Sequence, residues 1–158
     1  MQKLFDTLYR QAERLISSDT LISKLIDKAA VKAGELSEKY YQIQDSVIAL
    51  TRMLRAWLHG DYKNISTKTI IAVIAALIYF VNPIDLIPDF IPVIGQLDDI
   101  FILGYLIKIL NKEIERFMAW EETQASSTNL LSLLSSRLLL LLILNNSNNN
   151  NKRPTSSQ

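Results

Sequence analysis

Four aspartates crowd one short stretch of this chain: Asp85, Asp89, Asp98 and Asp99 within NPIDLIPDFIPVIGQLDD, residues 82–99. Carboxylates at such density suit a hard cation, because Mg²⁺ and Ca²⁺ prefer oxygen ligands. They also suit proton transfer, because facing carboxylates raise one another's pKa. The metal chemistry requires three of the four to converge on one point. Each aspartate also has a local structural use. Asp85 comes three residues after Asn82, a potential cap. Asp89 follows Pro88, a first-turn proline, and Asp98-Asp99 open a helix, where negative charge complements the positive helix end. Capping and hinge structure is the simpler reading. An ion or proton site and a partner-docking surface stay open, and no metal is assigned.

The other residues narrow the chemistry. The chain has no cysteine, which removes disulfides, thiol nucleophiles and thiolate zinc sites. The single histidine, His59, stands beside Gly60 at an expected helix end, where a surface position is favoured by the helix dipole. Ser66, Thr67 and Thr69 precede an apolar run and read as capping residues. There is no glycine-rich phosphate loop, so no cofactor is expected. A formal net charge of +1 gives no clustered basic excess, so no nucleic-acid partner is expected. With no catalytic constellation in view, the expectation is a protein that is not an enzyme.

The aspartates must be positioned by helices. Leu4, Phe5, Leu8, Ala12, Leu15 and Ile16 recur at helical spacing, with Asp6 and Glu13 breaking what would otherwise resemble a secretory signal. Asp19 is the expected cap of a second helix carrying Leu21, Leu25 and Ala29 beside Ile22, Ile26 and Ala30, and Gly34 weakens its end. Leu36, Tyr40, Ile43, Val47, Leu50, Leu54 and Trp57 form a seam of alternating four- and three-residue steps, closed by Gly60. The flanks of that seam offer few complementary charges, which favours packing within the domain; pairing with another chain is the lesser use. A fourth helix, capped by Ser66, carries the uncharged run Thr69 to Val81. Asn82-Pro83 ends it, Pro88 and Pro92 forbid one regular helix across the motif, Gly95 permits a reversal, and a last helix runs from about Asp98 to Trp120.

After Trp120 the composition changes. Residues 130–144 read LLSLLSSRLLLLLIL, with ten leucines, and an asparagine tract follows. The fifteen residues fall short of the ~20 needed to span a bilayer, so 123–158 reads as a low-complexity appendage with a disordered asparagine tract.

The pattern Tyr79, Pro83, Asp85-Leu86-Ile87-Pro88-Asp89, Ile91-Pro92, Gly95 and Asp98-Asp99 resembles the signature of the YkvA-like family, domain of unknown function 1232. With flanking helices the likeness covers about 65–115. It implies a helical domain, commonly a multi-pass membrane protein, with no assigned catalytic residue.

These observations predict an all-α helical bundle containing an apolar helical hairpin joined by a Pro/Asp-rich hinge. The expected divisions are 1–60, amphipathic helices; 61–122, the YkvA-like hairpin; and 123–158, the tail. Lys63 and Lys68 before the apolar stretch, and Lys108, Lys112 and Arg116 after it, place both basic ends on one side. That distribution predicts a membrane location with the basic flanks cytoplasmic and membrane lipid as partner. A soluble interaction module, with the hairpin as its core and a helix-mediated protein partner or self-association, is the alternative.

Overall fold

The computed structural model describes residues 2–82 and 96–150, with side chains over 2–82 and 101–148. The described residues form helices α1 (Gln2–Leu15), α2 (Asp19–Gly34), α3 (Tyr41–Leu58), α4 (Thr67–Val81) and α5 (Gln96–Asn150), with a 3₁₀ turn at Glu38–Tyr40. The expected all-α class is what the chain adopts. It divides into two compact units, Met1–Met118 and Ala119–Gln158, so α5 contributes its first part to one and its remainder to the other. In the first unit, helices from both sides of residue 60 share one core.

That core is built around α4. The helix packs against α1, α2 and α3, and every residue from Val73 to Phe80 is buried, together with Ile70 and Ile71. A helix that is apolar on all sides must be enclosed either by protein or by lipid. In this unit the enclosing faces are protein: Leu8 and Ala12 of α1, Ile22, Ile26 and Ala29 of α2, and Val47, Leu50 and Leu54 of α3 are buried. The α3 seam thus serves internal packing, as expected. The first part of α5 adds a stripe unnoticed in the sequence, Leu103, Leu106, Leu110, Ile114 and Phe117, buried at steps of three and four. Phe5 meets Tyr105 at 6.1 Å between ring centroids, and Tyr62 meets Phe117 edge-on at 5.2 Å.

Local chemistry explains the boundaries. Ser66 holds extended backbone and accepts the Thr69 N–H at 3.1 Å, so this hydroxyl cluster caps a helix as expected. At α2 the cap is Ser18, whose hydroxyl accepts from the Leu21 N–H; Asp19 sits in the first turn, where its charge complements the helix end. Gly60 has φ +80°, which lets the Asp61 N–H reach Ala56 O at 2.9 Å and the Gly60 N–H reach Trp57 O at 3.0 Å. Those two bonds satisfy the last carbonyls of α3.

The last helix departs from expectation at its C-terminal end. Its described part runs from Gln96 and includes Asp98 and Asp99. It also continues beyond Trp120 to Asn150, so the tract expected to be disordered is helical that far. Leucine is among the strongest helix formers, asparagine costs well under 1 kcal/mol per residue, and no proline or glycine interrupts 119–150.

Candidate functional site

Two features stand out: the end of α4 that leads into the aspartate motif, and the leucine-rich part of α5.

At the first, α4 ends in Tyr79-Phe80-Val81, with Tyr79 and Phe80 buried. The Asn82 N–H closes the last turn on Ile78 O at 2.9 Å. The Lys32 ammonium, from α2, donates to Val81 O at 3.1 Å and lies 5.5 Å from the centre of the Phe80 ring. A cation on the terminal carbonyls complements the negative end of the helix dipole, and the aromatic face adds attraction. Sequence reading missed this lysine; its signal was the row Lys24, Lys28, Lys32 at four-residue steps, one face of α2. Beside that row, α1, α2 and the end of α4 bound a cleft of about 270 Å³. Leu15, Leu25, Ile78 and Val81 line it below Lys24 and Lys28.

Of the motif, only Tyr79 is described with its side chain. Pro83, Asp85, Leu86, Ile87, Pro88, Asp89, Ile91, Pro92 and Gly95 lie outside the described residues, as do the Asp98 and Asp99 side chains. Convergence of the four aspartates is therefore not among the described geometry. Among the described residues, no three His, Cys, Asp or Glu side chains cluster as metal ligands. His59 caps α3 through its backbone N–H, which bonds Arg55 O at 3.0 Å. Burial pushes the Tyr62 hydroxyl above the ordinary tyrosine pKa; nearby Glu113 adds to the rise and Arg116 opposes it.

In the second unit, Leu130, Leu131, Leu133, Leu134 and the run Leu138 to Leu144 are all exposed. Just before them, the hydroxyls of Thr123, Ser126, Ser127 and Thr128 each bond the carbonyl four residues back, at 2.8–3.0 Å. Satisfied hydroxyls lose much of their cost of leaving water. Over Phe101–Asn148 the helix is long and apolar enough to cross a membrane, and none of its most apolar window is buried. The apolar helix α4 is shorter, and at fifteen residues it extends only ~22 Å against a ~30 Å hydrocarbon core.

Comparison with known proteins bears on the α4 end. Residues 69–105 match a family model described as "Protein of unknown function (DUF1232)". The chain carries a YkvA-like segment. It is 39% identical over 69 residues to "Uncharacterized membrane protein YkvA" of Bacillus subtilis (strain 168). Those residues are 44% of this chain and 65% of the relative, so the chain spans just under two thirds of the relative's length. No solved structure matches. The YkvA-like segment takes in α4 and the start of α5, the parts that frame the aspartate motif, and nothing in the match points to a reaction.

Proposed function

We propose that this chain is a membrane-anchored helical protein whose anchor is the leucine-rich part of α5 and whose first unit is a water-facing bundle built on α4. The observation that carries the reading is the exposed leucine helix, unpartnered among the described residues of its own unit. Counting the back-bonded hydroxyl residues, 125–144 gives twenty helical residues, ~30 Å, which matches the hydrocarbon core. Ten leucines at about −0.3 to −0.6 kcal/mol each supply about −3 to −6 kcal/mol of insertion free energy. Arg137 near the middle costs about 2.5–3.5 kcal/mol, which leaves insertion marginal to favourable. The membrane description of the B. subtilis relative agrees with this reading. No reaction is assigned, and a helix-mediated protein partner is compatible with the anchor.

The second reading places 69–119 in the bilayer as a hairpin, with Lys63, Lys68, Lys108, Lys112 and Arg116 cytoplasmic. It draws on the family segment, which coincides with that region. Burial of α4 by α1, α2 and α3 weighs against it. Carbonate extraction of membranes separates the two. On the anchor reading the full chain stays with the membrane and a chain ending at Glu122 is released. Retention of the shortened chain would favour the hairpin.

A further inference from the structure

The cleft at the end of α4 has the makeup of a site for an anionic amphiphile. Its floor is apolar, formed by Leu15 of α1, Leu25 of α2, and Ile78 and Val81 of α4. Its rim carries Lys24 and Lys28, one helical turn apart on α2, and no carboxylate lines it among the described residues. Among the described residues neither lysine has a hydrogen bond, ion pair or ring contact, in contrast to Lys32 on the same row, which is held by Val81 O and Phe80. Leu21, which also lines the cleft, is 47% exposed, whereas Ile22, Leu25, Ile26 and Ala29 of α2 are buried. An apolar floor below two exposed ammonium groups is complementary to a negative headgroup joined to a hydrocarbon chain, and its occupant would cover Leu21.

We propose that this cleft binds one anionic phospholipid of the bilayer, its phosphate between Lys24 and Lys28 and the start of an acyl chain on Leu15, Leu25, Ile78 and Val81. The proposal rests on the reading that the chain works at a membrane. Size sets the mode of binding. At ~30 Å³ per water-sized group, a cleft of about 270 Å³ holds about nine such groups, enough for a headgroup and a few methylenes. The remaining acyl chain stays in the bilayer, so the site is a contact with a membrane lipid, too small to extract one whole. The amides of Gln11 and Asn82 also border the cleft and offer donors to phosphate oxygens.

Vesicle flotation of the full chain tests this with phosphatidylcholine alone and with phosphatidylcholine containing phosphatidylglycerol. Each lysine near an anionic surface contributes about fivefold to partition, so Lys24→Gln with Lys28→Gln should lower the preference for anionic vesicles roughly 25-fold. Both lysines are exposed, so the substitutions leave the fold intact. Lys108→Gln with Lys112→Gln removes the same charge elsewhere and should lower the preference less than threefold. Equal losses from the two pairs would mean a diffuse charge effect and overturn the site. Binding to the neutral vesicles reports the anchor alone; its loss would count against the anchoring helix and leave the lysine comparison readable. Dihexanoyl phosphatidic acid, below its micelle concentration, should shift the amide resonances of Gln11, Leu21 and Asn82, while dihexanoyl phosphatidylcholine should not. Absence of those shifts would also overturn the proposal.

Discussion

Replacing Ile74 by alanine probes whether α4 is enclosed by protein or by lipid. Ile74 lies midway along α4 with no exposed surface. Ile74→Ala removes three carbons, worth about 2.4 kcal/mol of transfer at ~0.8 kcal/mol each. The cavity left behind raises the expected loss to about 2–5 kcal/mol, because the three enclosing helices relax only in part. Such a loss lowers the melting midpoint on the order of 10 °C for a unit of this size. Ile74→Val, which removes one carbon, should cost about 0.5–1.5 kcal/mol. The assay is urea unfolding followed by circular dichroism on a chain ending at Glu122, which keeps the whole first unit. If α4 faced lipid in the native protein, that truncated chain would not unfold cooperatively, or Ile74→Ala would cost below about 1 kcal/mol. Either result would refute the core assignment.

Two further outcomes are expected. Folding holds the Tyr62 pKa above its ordinary value, so the neutral phenol is the favoured form in the bundle. The stability it contributes is fully present below the unfolded tyrosine pKa of ~10 and is lost as pH rises through the higher folded value. Alkaline denaturation monitored by phenolate absorbance should therefore be shallower in Tyr62→Phe; an unchanged profile would contradict the burial argument. The sequence predicts Asp98 at the start of α5, so Asp98→Asn should cost about 0.3–1 kcal/mol of helix-dipole interaction, with no response to millimolar Mg²⁺ or Ca²⁺. Stabilisation of the parent chain by either cation, abolished in Asp98→Asn, would instead support ligation by the aspartates.

Most of the helix inventory was legible because periodicity, caps and glycine act locally. Ser66 caps α4 and Gly60 closes α3 through backbone geometry that neighbouring residues set. The choice of Ser18 over Asp19 as the α2 cap turned on a one-residue shift that spacing does not resolve. The surroundings of α4 were not legible, since an all-round apolar helix has one appearance in a protein core and in a bilayer. Only the buried faces of α1, α2 and α3 separate the two cases. The leucine run was undervalued because it is fifteen residues long; hydroxyls that bond their own helix extend the stretch able to enter lipid, and that bonding is invisible in composition. Lys32 was missed because its partner, Val81 O, is 49 residues away and carries no side-chain signature.

The most direct test of the account exploits the absence of native cysteine. Single cysteines at Leu140 and Ala72, each labelled with an environment-sensitive fluorophore, can be challenged by nitroxides attached to lipid acyl chains. Leu140 is exposed on the leucine helix and Ala72 is the half-buried face of α4, so each accepts a label. The account predicts strong quenching at 140 and none above the water-phase baseline at 72. Quenching at 72, with 140 reached only by a water-soluble quencher, would contradict it.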